Sequence, residues 1–408
     1  MEIFPFVSAI LGKMSGVSKY QTKFLLHIIE LYLSLRGRYT ISNLVAYGSY
    51  LESSYHEWFR KSFDFERFNE LLIGENAGEE RFIAFDPSYI SKSGKKTPGV
   101  GRFWSGCAGA VKWGLEICSL AVIDVKHRTG FHYSLQQTLQ TVIASSGGLY
   151  QYYASMIVKH KDTLIPLAGN VVVADAFFSN KPFYDSLHAG GFVLVSRMQK
   201  RSKMRYKYIG VQKSGRGRPK EYGEKVDVKA LDLQHFTLMS DTQKDGIIEK
   251  CYQGIVYIDS LKVWAKVAIV QNYDAATNSL KSTQIYFSTD NTMAGEKVLA
   301  YYHLRFQIEF LFREAKQHLG LTHCQSRNAN VLLFHWKLAF TVLNIAKAVH
   351  WLPIAKETIV PFSIQNIKTL YINRLYLNYF MKAFGITPDN ENNNPIIARL
   401  IAWGTKAA

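Results

Sequence analysis

The sequence is poor in cysteine and short of acid, and each shortage excludes something. Its 408 residues hold four cysteines, Cys107, Cys118, Cys251 and Cys324. No two have C-x-x-C spacing, so neither a zinc ribbon nor a dithiol redox pair is encoded, and reduced thiols of a cytosolic protein fit best. Cys324 follows His323, but no second Cys/His pair completes a zinc site. The N-terminus, Met1-Glu2-Ile3-Phe4-Pro5, lacks the positive charge of a secretory signal. The most apolar stretch, 331–349, is interrupted by His335, Lys337, Asn344 and Lys347, so it reads as a buried helix and not a membrane span. No internal repeat is visible.

Asp and Glu number 32 against 49 Lys and Arg, a net charge of +17. Such an excess calls for a polyanionic partner, nucleic acid first, although an ordinary basic protein has the same composition. With 48% hydrophobic residues the chain can bury a large core, enough for two or three domains. Its 25 Phe and 24 Tyr supply that core and also surfaces on which bases can stack.

Periodicity predicts a helix over 19–36, a short helix ISNLVAY capped by Thr40 or Ser42 and stopped at Gly48, and another over LESSYHEWFRKSF. This is a helix-turn-helix pattern. Ser53, Ser54, His56, Arg60 and Lys61 form its polar, DNA-facing side, and Tyr55 and Trp58 point inward. A plain helical scaffold has the same pattern. From 81 the composition turns to strands: RFIAFDPSYI, GLEICSLAVIDV (114–125) and GFHYSLQQT (130–138). A helix over 149–160 precedes NVVVADA (170–176), whose valines mark a central strand covered on both faces. A helix over 181–189 and the strand FVLVS complete a β-α-β unit. Residues 196–220 carry ten Lys/Arg and no acid. They lead into the strand-like segments KVDVKAL, CYQGIVYI, KVWAKVAIV and TQIYFST, a β-rich insertion with a basic edge. From 296 the chain is helical apart from a polar loop near 388–394.

Asp86 and Asp175 each end an apolar strand and emerge at a sheet rim. Each is equally explained as a turn residue or helix cap, and Asp124 and Asp259 also end strand-like runs. Near residue 300, Tyr302, Arg305, Glu309 and Lys316 fall within an arc of about 60° on one helical face, with Arg313 close to that stripe. A solvated, salt-bridged face accounts for the charges. It accounts less well for Phe306, Ile308, Phe310, Leu311 and Phe312 around them, which make the stripe one wall of a cleft.

Tyr302-x2-Arg305-x3-Glu309-x6-Lys316 resembles the Y-R-E-K signature of bacterial insertion-sequence DDE transposases. FDPSYISKSGKKTPGVGRFWSGC (85–107) resembles the first-Asp region of one branch, and VVVADAFFSNKPF (171–183) the second-Asp region. The insertion before the Glu, including GRGRPKEYG (215–223), also fits, and the likeness runs in order over about 20–345. The better-known members place an Arg directly after the second Asp; Ala176 and Phe177 follow here.

The resemblance implies an α/β chain built on an RNase H-like mixed sheet flanked by helices. Its parts would be a DNA-binding domain over 1–75, a catalytic core over 76–195 and 293–348, a β-rich insertion over 196–292, and a helical region over 349–408 available for dimerisation. Asp86, Asp175 and Glu309 would be the catalytic, metal-binding triad for Mg²⁺ or Mn²⁺, two ions. Tyr302, Arg305 and Lys316 would contact the phosphates of the transposon end. Lys92, Lys95, Lys96 and Arg102 are further cations beside the first Asp, available to DNA or simply solvated. Arg216 and Arg218 are either a minor-groove hook or a flexible hairpin touching backbone. Trp264 reads as core ahead of a base-holding role, and Gln325 and Arg327 are further candidates for facing DNA.

The expected activity is cleavage at terminal inverted repeats and strand transfer into target DNA by a homodimer, cytoplasmic at the nucleoid, with no membrane. The alternatives are a transposase-derived DNA-binding protein without catalysis and an RNase H-like nuclease without strand transfer.

Overall fold

The computed structural model describes residues 3–198, 202–212, 218–351, 361–386 and 394–406. The chain opens with five helices: α1 (Ile3–Leu11), α2 (Lys19–Ser34), α3 (Ile41–Tyr47), α4 (Glu52–Arg60) and α5 (Phe65–Asn76). Three of them begin at side-chain caps, as Ser18, Thr40 and Asp64 accept the N–H groups of Gln21, Asn43 and Arg67.

A meander follows, β1 (Arg81–Ser91), β2 (Gly101–Ser105), β3 (Ala110–Asp124) and β4 (Thr129–Gln137). Then come α6 (Gln140–Ile143), α7 (Leu149–Val158), α8 (Lys161–Ala168), β5 (Val171–Val173), α9 (Lys181–Ala189) and β6 (Val193–Arg197). α9 starts where Asn180 caps Phe183 N and Pro182 presets the first turn. The insertion contributes β7 (Met204–Lys207), β8 (Tyr222–Lys225), β9 (Phe236–Lys244), β10 (Ile247–Ile258), β11 (Val263–Asp274) and β12 (Leu280–Ser288). Helices α10 (Gly295–Leu304), α11 (Phe306–His318), α12 (Ala329–Trp351), α13 (Ile364–Ala383) and α14 (Pro395–Ile401) complete the chain.

Among the described residues the twelve strands form one sheet, in the order β2-β3-β1-β5-β6-β12-β11-β10-β7-β8, with β4 also on β3 and β9 on β10. β1 runs antiparallel to β3 and parallel to β5, and β5 runs parallel to β6. The insertion continues this sheet, because β12 pairs antiparallel with β6.

α12 is the 23-residue apolar helix, and 78% of its central window is buried in protein, as its interrupting polar residues predict. Each of those residues has a partner. His335 bridges Tyr32 Oη and the Gly320 carbonyl at 2.8 Å each. Lys337 donates to Glu66 at 2.6 Å, and Lys347 to the Gly130 carbonyl at 3.0 Å. Asn344 meets β4 at an irregularity: Leu120 pairs with Ser134 but Ala121 pairs with His132, so Tyr133 is an extra residue in the ladder. The Asn344 amide accepts His132 N–H (2.8 Å) and donates to His132 O (2.6 Å) and to Asn69 Oδ1 (3.0 Å), while Asn69 donates to Tyr133 O (3.2 Å). Two side-chain amides thus satisfy the backbone that the bulge leaves over.

Several expectations need correction. KVDVKAL does not form a strand; β8 ends at Lys225, where the segment begins. β9, whose side chains are mostly exposed, carries no apolar alternation and was not anticipated. The central strand is shorter than predicted, three residues of β5, because Asp175 already turns into a 3₁₀ turn at Ala176–Phe178. The predicted polar loop falls almost wholly on residues outside those described.

Candidate active site

The register of the two parallel strands sets the site. Ile83 pairs with Val172 and Ala84 with Val173. Continued two residues, the same offset puts Asp86 opposite Asp175, on strands about 4.8 Å apart. Beneath them lies an aromatic floor in which Phe178 packs against Phe85 (5.3 Å between centroids) and Phe183 (4.8 Å). Ser196 on β6 donates to the Asp175 carbonyl at 3.0 Å, fixing the backbone where β5 ends.

The third acid comes from α11. The predicted single helix is broken at Arg305, whose N–H is shared between the carbonyls of Tyr301 and Tyr302, but the polar stripe survives the break. Tyr302 Oη donates to Asp175 Oδ1 at 3.2 Å. Arg305 Nη2 donates to Glu309 Oε1 at 2.8 Å. Lys316 Nζ donates to Ser88 Oγ at 2.8 Å and to Tyr89 O at 3.1 Å, two and three residues beyond Asp86. Tyr302 and Lys316 thus bond the segments that carry the two Asp, and Arg305 holds Glu309; Asp86 does not end its strand as expected but sits midway along β1, which runs on to Ser91 in its pairing with β3.

Electrostatics agrees with the geometry. Burial pushes the Asp86 carboxyl up to about 7, with Glu309 and Asp175 adding to the rise and Arg305 and Lys316 opposing it. Arg305 is 4% exposed. Burial pulls its guanidinium down, but Asp86, Tyr302, Glu309 and Asp175 outweigh that and raise it. Burial also lowers Lys316 and lifts the Tyr302 phenol to about 12. Arg305 Nε is buried without an acceptor, so the site holds one more donor than its own acids use.

The donor set is three carboxylates, the oxygen ligands that Mg²⁺ and Mn²⁺ prefer. Asp86 is a buried carboxyl with two further acids acting on it, a donor set of the kind a divalent cation takes. Among the described residues no three His, Cys, Asp or Glu side chains are grouped closely enough to hold one ion as they stand. Glu309 is turned onto Arg305.

The other predicted contacts are scattered. Lys92 is half-buried and donates to the Cys324 carbonyl, tying the end of β1 to the loop after α11. Lys95, Lys96 and Arg102 are exposed. Arg313 stands over Phe310 (4.4 Å) and lines a pocket with Gln317, Ser363 and Gln365. Arg218 is exposed and pairs with Glu221 at 3.0 Å; Arg216 lies outside the described residues. Arg60 ends α4, and Lys61 pairs with Glu57 and lies over Trp58 (4.1 Å). Trp264 is half-buried, stacked on Tyr222 (5.9 Å) and edge-on to Tyr257 (5.4 Å), not in the core interior.

Two features went unread in the sequence. Phe306 and Phe310, read only as apolar residues around the stripe, are 45% and 37% exposed beside Glu309. Ser88 as a partner of Lys316 has no local signal, being 228 residues away.

With that geometry in place, comparison with known proteins is informative. The family model described as the transposase DDE domain matches residues 155–345. The matched segment contains Asp175, Tyr302, Arg305, Glu309 and Lys316, while Asp86 precedes it. No curated protein matches the chain. The match supports a transposase, a nucleic-acid-processing enzyme whose partner is DNA.

Proposed function

We propose that this protein is a DDE transposase of the Y-R-E-K group that cuts DNA at transposon ends and joins them to a target. The observation that carries the reading is the convergence of three chain-distant acids. Asp86 lies on β1 and Asp175 just past the end of its parallel neighbour β5, Tyr302 bonds Asp175, and Glu309 and Asp175 both act on the Asp86 carboxyl. The strand order β4-β3-β1-β5-β6, three antiparallel strands followed by two parallel ones, supports an RNase H-like core split by the β-rich insertion. In this reading 76–195 and 293–348 form the core, 1–75 binds DNA, 196–292 is the insertion, and 349–408 serves a homodimer that handles two ends together.

Asp86, Asp175 and Glu309 would hold two Mg²⁺ or Mn²⁺ ions, which when bound supply an activated nucleophile and charge relief at the leaving oxygen. The chain's own residues do the remainder. Tyr302 orients the Asp175 carboxylate. Arg305 offsets the charge of the acids and brings an unused donor for a phosphate oxygen. Lys316 holds the Asp86 strand against α11. Attack by water forms one P–O bond, breaks another and frees a 3′-hydroxyl. That hydroxyl, seated where water was, attacks a target phosphodiester and displaces its 3′-oxygen.

The test uses purified protein with Mg²⁺ and DNA carrying the terminal repeats that flank its gene. Cleavage and joined products are expected, both abolished by EDTA and by Asp86→Ala. Equal cleavage by the Ala variant would refute the triad. Cleavage without joined products would favour a nuclease, and repeat binding without cleavage a non-catalytic DNA-binding protein.

A further inference from the structure

β2 and the start of β3 form a hairpin that runs on beyond β1. It leaves the sheet at Gly114, where any Cβ would fall 2.4 Å from the Ile90 carbonyl oxygen, so only glycine fits. Arg102 pairs with Trp113, and Trp104 with Val111, which puts these four side chains on one face. That face is open: Trp104 is 60% and Trp113 44% exposed. The opposite side is closed by buried Phe103, and Gln140 Nε2 holds the Arg102 carbonyl at 3.1 Å. Large rings turned to water on a strand pair that could have buried them call for an occupant.

Three observations say what that occupant is. Between Pro87 and Leu115 the sequence has five Lys/Arg, namely Lys92, Lys95, Lys96, Arg102 and Lys112, and no acid. A second copy docking face to face would bring like charges together, whereas a polyanion is complementary. Trp104 and Trp113 sit at diagonal cross-strand positions of this face, so two aromatic rings are offered side by side for bases to stack on. The face also continues the candidate active site: Ser119, opposite Asp86, lies six residues along β3 from Trp113, about 20 Å.

We propose that the Trp104–Trp113 face binds an unpaired DNA strand, with its bases stacked on the indoles and its phosphates on Arg102 and the neighbouring lysines. Unpaired bases are required because a duplex hides the ring faces that tryptophan stacks on. The hairpin then receives the strand separated next to the scissile phosphate. The inference rests on DNA being the partner.

The experiment measures fluorescence anisotropy of a labelled oligothymidylate and of a labelled duplex of equal length with the full chain. Trp104→Ala with Trp113→Ala is expected to weaken single-strand binding by at least about tenfold and duplex binding by less than about twofold. The Trp104→Phe/Trp113→Phe pair, which keeps the rings and guards against a folding defect, restores most of the affinity. Unchanged single-strand affinity in the Ala pair overturns the proposal, as does failure of the wild type to bind the single strand. Lost self-association with unchanged strand affinity overturns it too and makes the face an interface between copies. Asp86→Ala separates the two readings. If it binds the strand normally and cleavage never depends on it, the transposase reading fails while this one stands.

Discussion

Replacing Lys316 by Met asks whether α11 is braced on β1, the strand that carries Asp86. The Lys316 ammonium is buried between α11 and β1, with its two acceptors at 2.8 and 3.1 Å. Met keeps a stem of similar length against Phe312, over whose ring the ammonium now sits at 5.7 Å. What is lost is two hydrogen bonds from a charged donor, about 1.5 kcal/mol each at the low end, or about 3 kcal/mol together. Unfolding entropy of about 2.1 cal/mol/K per residue gives about 0.9 kcal/mol/K for 408 residues, so the melting midpoint should fall by about 3–4 °C. Ser88→Ala removes one of the two acceptors, about 1.5 kcal/mol, and should cost about 1.5–2 °C. The double variant should fall short of the sum by about that amount, since the shared bond is lost once. Differential scanning calorimetry of metal-free, DNA-free protein at one scan rate measures all four midpoints. A Lys316→Met shift below about 1 °C, or strict additivity with Ser88→Ala, would refute the brace.

Two further outcomes follow from the buried polar groups. Asn344→Leu strips the partners from His132 N–H, His132 O and Asn69 Oδ1, so a loss of about 4 kcal/mol is expected. Hydrogen exchange should show the His132 amide losing its protection, and unchanged protection would contradict the assignment. Burial lowers His132 to about 3 and His335 to about 4, against about 6.5 in an unfolded chain. The unfolded chain therefore takes up protons first. The stability these two residues supply is complete above pH 6.5 and drains away as pH falls towards 4, by about 2.7 kcal/mol per pH unit for the pair. Asp86, raised to about 7, acts with the opposite sign, so the effect is read as the difference between wild type and His335→Gln. A difference that does not change between pH 6.5 and 4.5 would refute it.

The legible parts of the fold were those with short-range causes. Val171–Val173 announced a covered strand, and the spacing from Tyr302 to Lys316 announced one polar stripe. The unlegible parts depend on distant neighbours. Nothing near Tyr133 signals an extra residue in β4, because the bulge is tolerated through Asn69 and Asn344, 64 and 212 residues from the groups they serve. β9 is a strand because β10 offers it a ladder, not because its own side chains alternate. The outward turn of Phe306 and Phe310 was hidden for a related reason. A helix with apolar residues on several sides does not say which side meets water.

The placement of β6 has a mechanical consequence. One edge of this five-residue strand is bonded to β5, which leads into Asp175, and the other to β12, the last strand of the insertion. On the proposed function, a tug on the insertion by bound DNA would pass through continuous backbone ladders to Asp175. The proposed grip on DNA and the proposed alignment of the carboxylates would then be parts of one lever.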